Sequence, residues 1–250
     1  MKKVFNALST YYDLIYENKD YAAETAYIIQ LIKTYNTNSK KIIEFGSGTG
    51  KHAILLCEYG FQVKGIEPSA EMLGVAKYNT HPLLSFQQDS ISSFDSPERF
   101  DVATALFHVI SYLNTNEELL SSFKKVHQHL GPGGLFIFDV WYSPAVLTQI
   151  PEKRTKTVEN DQIKVVRYAN PVNRWNDNVI DVIYDFDVLE KSTGLNHQFT
   201  ETHRMRHFSI PEIELLAQVS GFNLIKTEEF GTAELPGPGT WGVNFVLRKK

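Results

Sequence analysis

The sequence predicts an α/β fold in which a mainly parallel sheet is followed by a late antiparallel β addition. Short apolar runs alternate with amphipathic segments over residues 1–140, which is typical of parallel strands joined by helices. A glycine-rich turn directly follows the first of these apolar runs. After Trp141 the hydrophobic period changes to two, which indicates strands with one buried face. Repeated strand–helix units imply right-handed crossovers that cover both faces of the sheet.

The predicted parallel strands and their helices occupy the first part of the chain. The segment 21–35 has an apolar stripe at helical spacing, and the run Lys41–Phe45 is the first predicted strand. Gly60 and the pair Gly131-Pro132 end two of the helices that follow. The other predicted strands cover 62–66, 84–87, 100–106 and 134–140, and the other predicted helices cover 51–59, 70–77 and 116–130, the last capped by Asn116.

Antiparallel strands are predicted in the later part of the chain. In 179–189 the even-numbered residues are apolar, whereas Asp181, Asp185 and Asp187 lie on the opposite face, where we expect solvent. Together with strands at 162–169 and 195–207, this segment forms two or three antiparallel strands. We expect them to make a lid or platform beside the parallel sheet.

The last part of the chain returns to helix and strand. Ser209 with Glu212 has the pattern of a capping box, which predicts a helix running to Ser220. Strands at 222–230 and 241–248 then complete the main sheet.

Composition and charge exclude several classes of protein. The 250 residues suffice for one large domain, and 25 Lys and Arg against 29 Asp and Glu give a net charge of −4. That balance argues against a nucleic-acid backbone as the main partner. Cys57 is the only cysteine, which excludes an intrachain disulfide and a cysteine-based zinc site. Polar residues such as Asn6 and Asp13 interrupt the apolar stretch after Lys2 and Lys3, so we expect no signal peptide, no membrane and a cytoplasmic monomer or homodimer.

The strongest functional signal is a set of acids and glycines at the ends of the first three strands. Glu44 and the turn GSGTG at 46–50 close the first strand, where glycines permit a tight turn and close approach of a ligand. Glu67 closes the second strand, where an acid can bind two ribose hydroxyls. Asp89 closes the third strand, where it is placed for an adenine amino group. The dinucleotide pattern G-x-G-x-x-G fails because Lys51 occupies the third glycine position, yet an NAD-binding or cofactor-free Rossmann-like domain remains the alternative.

This constellation resembles the class I S-adenosylmethionine-dependent methyltransferases. The resemblance implies a Rossmann-like seven-stranded sheet formed by 1–150 and 209–250 with an N-terminal helical cover, and an inserted antiparallel platform at 151–208 on the acceptor side, with possible dimer contacts. It also implies that S-adenosylmethionine is the cofactor. The cofactor-binding residues it implies are Tyr12, Tyr16, Tyr21, Glu44, Gly46, Ser47, Gly48, Gly50, Glu67, Pro68, Met72, Asp89, Ser90, Ile91, Leu106 and Phe107.

A narrower resemblance concerns the deoxyaminosugar N,N-dimethyltransferases of macrolide biosynthesis. The opening Tyr12–Tyr16 (YDLIY), followed by Lys19-Asp20-Tyr21 and Glu24, looks like the start of those enzymes. Shorter matches follow in the same order at 107–113, 117–119, 141–142, 203–204 and 237–238. The sequence departs from the family at Trp241, where an arginine suited to a diphosphate is expected, and this puts a nucleotide-linked substrate in doubt.

His108 and Tyr112 are the candidate catalytic residues, because the resemblance places the loop after the fourth strand beside the transferable methyl. A neutral amine can attack a sulfonium methyl without a strong base, whereas a hydroxyl usually needs one. We therefore expect catalysis to depend on positioning, with measurable turnover after either residue is replaced. A structural histidine at 108, and core packing for the tyrosines, are the competing interpretations.

The other histidines carry weaker signals. His127 and His129 are two apart on a predicted helix, so we expect them on the surface. His197, His203 and His207 share one strand face, but no carboxylate clearly joins them, so a place in the platform is favoured over a metal site and none is predicted.

The sequence therefore predicts a methyltransferase that acts on a small molecule, with N-methylation of an amino sugar, possibly nucleotide-linked, or of a similar amine as the leading hypothesis. O-methylation of a sugar or another small hydroxyl compound is the alternative within the fold. A base-modifying nucleic-acid enzyme is disfavoured, because residues 106–109 read LFHV and lack the Asn/Asp-Pro-Pro-aromatic turn. A non-catalytic S-adenosylmethionine-binding module is the alternative from another class.

Overall fold

The computed structural model describes residues 8–250, so the expectations about Lys2, Lys3 and Asn6 concern residues outside the described range. Its helices are α1 Ser9–Ile15, α2 Tyr21–Tyr35, α3 Lys51–Glu58, α4 Ala70–Ala76, α5 Asn116–His129, α6 Ser143–Thr148 and α7 Ile210–Val219, with a 3-10 helix at Val109–Tyr112. Its strands are β1 Lys41–Phe45, β2 Gln62–Glu67, β3 Leu84–Gln88, β4 Phe100–Ala105, β5 Leu130–Tyr142, β6 Arg154–Glu159, β7 Ile163–Arg174, β8 Val179–Glu190, β9 Asn196–Phe208, β10 Phe222–Glu229 and β11 Gly242–Lys249.

Seven strands form the central sheet in the order β3-β2-β1-β4-β5-β11-β10. The first five strands of that order are parallel, and β11 runs antiparallel to both of its neighbours. The strand order therefore reverses between β1 and β4. In open α/β sheets ligands bind outside the carboxyl ends of the strands at such a switch point. The seven-stranded α/β prediction is confirmed, and the glycine-rich turn lies at this edge.

The antiparallel strands β6 to β9 extend this sheet. β9 pairs in parallel with the end of β5 through Trp141 with His207 and Tyr142 with Phe208, so all eleven strands are hydrogen-bonded into one sheet. Four antiparallel strands are present where two or three were expected. The sequence did not reveal β6 because Val158 is its only buried residue, and one buried residue gives no alternating pattern.

Helices cover both faces of the central sheet. On one face α5 and α7 pack through a cluster that includes Phe123 and Ala217, and on the other face α2 and α3 pack through Ile28 and Leu56. Each large apolar side chain buried in this way contributes about 1.5–3 kcal/mol. The two clusters therefore hold the strand ends in fixed relative positions, which a ligand site at that edge requires. In the described part of the chain, no helix has both the length and the apolar character needed to cross a bilayer.

Two helix starts near the site can be compared with their predicted caps. Thr115, and not Asn116, is the cap of α5, because its extended backbone lets the hydroxyl accept the N–H of Glu118 at 3.1 Å. Ser209 caps α7 as predicted by accepting the N–H of Glu212.

The expectation that both helix-borne histidines lie on the surface is wrong for His129. That side chain is fully buried, because its Nε2 accepts the N–H of Ser96 at 3.1 Å and its Nδ1 lies 2.8 Å from the carbonyl oxygen of Lys125. These two contacts satisfy the ring's polar atoms, so the imidazole packs as a core group against Phe94.

The expected solvated row of aspartates is also wrong at one of its three positions. Asp181 is 5% exposed, and Arg174 and Arg204 donate to its two carboxylate oxygens at 2.5 and 2.8 Å. Burial acts to raise the pKa of Asp181, but the two guanidinium groups outweigh it and hold the pKa below its ordinary value. Asp185 and Asp187 are half-buried and bond to neighbouring polar side chains.

Candidate active site

The glycine-rich turn lies at the carboxyl edge of β1, where two of its glycines are required by geometry. Gly46 has φ +66°, and a Cβ placed there would lie 2.4 Å from Val109 Cγ2. Gly50 has φ +80°, and a Cβ there would lie 2.7 Å from the ring of Phe86. The backbone of the turn can therefore approach a ligand closely only while these positions lack side chains.

Glu67 fixes the shape of this turn. Its carboxylate is buried, with Oε2 accepting the N–H of Gly48 at 2.9 Å and Oε1 accepting the N–H of Ser69 at 2.8 Å. Burial raises the pKa of Glu67, although the two backbone N–H groups oppose that effect. Each carboxylate oxygen has a second lone pair, so Glu67 can hold the turn and still accept hydroxyl donors from a ligand.

Unpartnered polar atoms beside the turn show where a polar ligand fits. Glu44 is 2% exposed, and within residues 8–250 neither its Oε2 nor the Oγ of Ser47 has a hydrogen-bond partner. Burial, followed by repulsion from Glu67, raises the pKa of Glu44 to about 8. A buried polar atom without a partner costs about 1–3 kcal/mol. These two oxygen atoms therefore fit a ligand that brings hydrogen-bond donors and a positive charge, as the methionine end of S-adenosylmethionine does.

Asp89 follows β3 and is engaged in a local turn. Its Oδ1 accepts the N–H of Ser90 at 2.8 Å and the hydroxyl of Ser93. Of the neighbouring residues expected to bind the cofactor, Met72 and Ile91 are buried and Pro68 is exposed. The structure places this set along the edge beside β2 and β3, and its contact with an adenine stays a prediction.

Helix α1 and the start of α2 adjoin the glycine-rich turn. Asp13 accepts the hydroxyl of Thr49 at 2.8 Å, which ties α1 to the turn. The ring of Tyr16 lies edge-on to Phe107, with ring centroids 5.2 Å apart, and 4.7 Å from the ring of Tyr12. Burial raises the pKa of Tyr12 well above its ordinary value, so this phenol stays protonated at neutral pH. These aromatic rings therefore lie where the sequence predicted a cover.

Tyr21 and Leu106 complete the predicted set. The ring of Tyr21 lies 5.0 Å from that of His52, in the first turn of α3, and Leu106 is buried directly after β4. His52 connects two parts of the site, because its Nε2 lies 2.8 Å from a carboxylate oxygen of Glu24 and its Nδ1 lies 3.9 Å from Glu44.

His108 lies after β4 in a strained segment held by Asp139. Phe107 and His108 have φ of +62° and +64°, which non-glycine residues rarely adopt. The N–H of His108 donates to both oxygens of Asp139 at 3.2–3.3 Å, and the ring Nδ1 lies 2.6 Å from Oδ2. This ring contact is close, but it does not have the geometry of a hydrogen bond. Residues held in such conformations cluster at functional sites.

The charge of Asp139 supports this arrangement. Its side chain is 2% exposed, and burial alone would raise its pKa, but its contacts with His108 hold the pKa below its ordinary value. Asp139 is therefore ionised at neutral pH. It holds the imidazole by its Nδ1, which leaves Nε2 as the ring nitrogen that is free to act on another group.

A cavity of about 370 Å³ adjoins this pair. This volume lies at the small end of the range for ligand sites, about 300–1,000 Å³. The lining residues come from the start of α2, the loop after β4, β5 and the β10–β11 hairpin: Lys19, Glu24, Phe107, His108, Asp139, Glu229, Phe230, Gly239, Trp241 and Gly242.

Tyr112, the second candidate catalytic residue, is not among the lining residues. Its hydroxyl lies 2.7 Å from Nδ1 of His203 on β9, and Nε2 of His203 lies 3.4 Å from Glu201. Burial raises the pKa of Tyr112 well above its ordinary value, so this phenol acts as a neutral hydrogen-bonding group and not as a base. Its catalytic role stays a prediction.

The remaining histidines of the platform are far from a metal-binding arrangement. Nδ1 of His207 lies 2.8 Å from the hydroxyl of Ser143, and His197 pairs with Glu190 at 3.2 Å near the opposite end of β9. From Leu8 to Lys250, no three His, Cys, Asp or Glu side chains are grouped so that they could hold a metal ion.

The sequence analysis missed several residues of the cavity, of which Asp139 had a visible signal. An acidic residue inside the apolar run GLFIFDV is unusual in the same way as Glu44 inside KIIEF. Lys19 and Glu24 were noted only as part of a resemblance. Glu229 carries no local pattern, because it ends an ordinary strand and reaches the cavity only through the β10–β11 pairing.

Comparison with known proteins gives a family match and similar relatives. A family model described as a methyltransferase domain matches residues 17–227. The YqeM protein of Bacillus subtilis (strain 168), which carries the name methyltransferase, is 28% identical over 237 residues, covering 92% of this chain and 92% of YqeM. The dTDP-3-amino-3,4,6-trideoxy-alpha-D-glucopyranose N,N-dimethyltransferase of Streptomyces venezuelae is 26% identical over 215 residues, covering 85% of this chain and 89% of that protein.

A solved structure extends the comparison to the whole fold. S-adenosylmethionine-bound CalS10, an amino pentose methyltransferase from Micromonospora echinaspora involved in calicheamicin biosynthesis, matches with a TM-score of 0.77. The match covers 100% of this chain and 99% of that one at 19% identity, a level that shows a shared fold.

Proposed function

This chain belongs to the methyltransferase domain family as a class I enzyme that uses S-adenosylmethionine, and from that premise we propose that it methylates the amine of an amino sugar or of a similar small molecule. The observation that carries the proposal is the pair His108–Asp139, which lines a cavity after the ends of β4 and β5. The name of the Streptomyces venezuelae relative, an amino sugar N,N-dimethyltransferase, supports the choice of acceptor.

We assign the cofactor to the glycine-rich turn and the acids around it. Glu44 and Ser47, whose buried oxygens lack partners, would hold the methionine end, and Glu67 would accept the ribose hydroxyls. Asp89 and Ile91 would border the adenine. The bound cofactor supplies an electrophilic methyl group on a sulfonium sulfur.

The acceptor's amine reacts only through its free lone pair, so the enzyme must keep that nitrogen unprotonated and aligned. We assign both tasks to the cavity. Nε2 of His108 accepts a proton from the acceptor's ammonium, and the ionised Asp139 stabilises the resulting imidazolium. The aromatic rings of Phe107 and Trp241 exclude water from this space. The phenols of Tyr12 and Tyr112 remain protonated and lie outside the lining of this cavity, so we do not assign them the acceptor's proton.

Binding and turnover together test this function. Calorimetry should show binding of S-adenosylmethionine and none of NAD, and Glu67→Ala should weaken that binding by about 1–3 kcal/mol through lost hydrogen bonds. Mass spectrometry should show a mass gain of one or two methyl groups on an amino sugar. Absence of any methylated amine across a panel of amino sugars and simple amines, with cofactor binding intact, would leave a binding module.

O-methylation is the second candidate, because an imidazole held by a buried carboxylate is also a suitable base for a hydroxyl group. The matched test offers an amino sugar and the same sugar with a hydroxyl in place of the amine. Transfer to the hydroxyl compound alone would assign the enzyme to that class.

A further inference from the structure

The cavity carries an excess of negative charge. Its lining includes the carboxylates of Glu24, Asp139 and Glu229, against the single ammonium of Lys19. Lys19 pairs with Glu24, and its ammonium also lies 4.2 Å from the ring centroid of Phe107. Asp139 is in contact with the ring of His108, so Glu24 and Asp139 each have a basic side chain as partner.

Glu229 is the carboxylate left over from this pairing. Across residues 8–250 it has no Lys, Arg or His within ion-pair distance, and the hydrogen bond to its side chain comes from the hydroxyl of Thr240, which donates to Oε2 at 2.9 Å. Thr240 is itself buried and accepts the N–H of Gly237 at 3.0 Å. The β10–β11 loop therefore fixes the Glu229 carboxylate in place while Oε1 remains available to a ligand.

Aromatic side chains, among them Trp241 and Phe230 of the same hairpin, also line the cavity and bring no cation to it. Trp241 donates its Nε1–H to Gln149 at 2.9 Å, and its ring stands perpendicular to that of Trp141 with centroids 5.9 Å apart. A diphosphate is recognised by guanidinium or ammonium groups, preferably through paired hydrogen bonds. Placed in this cavity it would instead meet the carboxylate of Glu229, which has no cationic partner among residues 8–250, and repulsion between like charges would weaken its binding.

We infer that the acceptor in this cavity carries no phosphate: it is an amino sugar in the free or simple glycoside form, and Glu229 binds a hydroxyl or second ammonium of that molecule through Oε1. The inference rests on the proposed function, since it specifies the acceptor of the same site. The aromatic faces of Trp241 and Phe230 match the apolar face of a sugar ring or its aglycone.

The test compares two forms of one amino sugar, its methyl glycoside and its nucleoside diphosphate ester. Binding is measured calorimetrically on protein loaded with S-adenosylhomocysteine, and methyl transfer is measured on the same two compounds. The wild type should bind the glycoside about tenfold or more tightly than the nucleotide form. Glu229→Gln should weaken glycoside binding by about tenfold to a hundredfold, the worth of one hydrogen bond to a charged group.

Two further variants sharpen the result. Glu234 lies in the same hairpin, and its side chain is exposed outside the cavity. Glu234→Gln should therefore leave the affinities for the glycoside and for the nucleotide form unchanged. Glu229→Lys should reverse the order of the two compounds, and raised salt should reduce that reversal.

Tighter binding and faster methylation of the nucleotide form by the wild type would overturn this inference while supporting the proposed function. Unchanged glycoside binding in a folded Glu229→Gln protein would overturn it as well. Failure of both compounds to become methylated at the amine would count against the proposed function itself, and the binding order of the two compounds would still decide the charge preference of the cavity.

Discussion

The glycine-loop side of the site, formed by Glu44, residues 46–50 and Glu67, differs from the cavity side, formed by His108, Asp139, Glu229 and Trp241. The glycine-loop side is built from two adjacent strand ends and stabilised by backbone contacts, such as the N–H of Gly48 to Glu67. The cavity side gathers side chains from elements more than a hundred residues apart in sequence. A site whose shape depends on backbone conformation strongly constrains the local sequence. A site whose shape depends on side chains from distant elements can change by one substitution at a time. We therefore expect the first to determine the cofactor and the second to determine the acceptor.

The substitution with the largest expected effect alters only the glycine-loop side of the site. Gly46→Ala places a Cβ 2.4 Å from Val109 at a φ of +66°, and both the clash and the backbone strain must be relieved by moving the turn. We expect affinity for S-adenosylmethionine to fall about a hundredfold or more, from a strain of about 1–3 kcal/mol together with overpacking. Calorimetric titration measures the loss.

Gly74→Ala is the matched control, because Gly74 lies in α4 with an ordinary helical backbone and an added Cβ there would meet no atom within 4 Å. It should bind the cofactor normally. The added change Val109→Ala should recover only part of the affinity, since it removes the clash but not the strain. Full binding by Gly46→Ala would show that the turn is not required in this shape.

The second prediction tests the cavity side. His108→Asn should lower kcat by about tenfold to a hundredfold at neutral pH, less than the 10²–10⁴ typical of an obligatory base, and leave cofactor affinity unchanged. For an amine acceptor the loss should shrink as pH rises, because solvent then deprotonates the ammonium without help. Steady-state rates between pH 6.5 and 9.5 measure this.

Asp139→Asn provides the matched comparison, because it keeps the shape of the carboxylate and removes its charge. It should also lower kcat with little change in KM, since the imidazolium loses its ionised partner. A His108→Asn defect that stays constant across the pH range would favour a hydroxyl acceptor and the O-methylation alternative.

These contrasts explain how much the sequence could predict. The alternation of strands and helices, the glycine-rich turn and the acids at strand ends were predictable because hydrophobic periodicity and positive φ angles restrict residue choice locally. Asp139 could have been noticed as an acid within an apolar strand. Glu229 could not, because only the β10–β11 pairing brings it to the cavity wall. The burial of His129 likewise depends on Ser96, which no helical pattern reveals.

The third prediction returns to the glycine-loop side and concerns pH. Glu44 has a pKa of about 8 in the folded chain against an ordinary value of 4.5, so between those values the folded state holds a proton that the unfolded state has released. The contribution of Glu44 to the free energy of unfolding is fully present below about pH 4.5 and is lost as the pH rises through about 8. Glu44→Gln removes the titration, so its stability relative to the wild type should increase by about 1 kcal/mol or more from pH 5 to pH 8.5.

Urea unfolding of both proteins across that range measures the difference, which cancels the contribution of all other titrating groups. A constant difference between wild type and Glu44→Gln would mean that Glu44 titrates normally and is not the buried acid of this side.

The prediction with the smallest expected effect tests whether the antiparallel platform is independent of both sides of the site. Asp181 and Asp187 lie on the same face of β8, yet only Asp181 is buried between two guanidinium groups. Asp181→Asn leaves Arg174 and Arg204 without a carboxylate and should cost about 1–3 kcal/mol of stability. Asp187→Asn should change stability by less than about 0.5 kcal/mol, as is usual for surface positions. Neither variant should alter affinity for S-adenosylmethionine, because β8 does not contribute to the glycine-loop side. Urea unfolding and calorimetry on the pair measure both quantities. A loss of cofactor affinity in either variant would show that the platform and the glycine-rich turn are coupled, and the separation of the two sides would then fail.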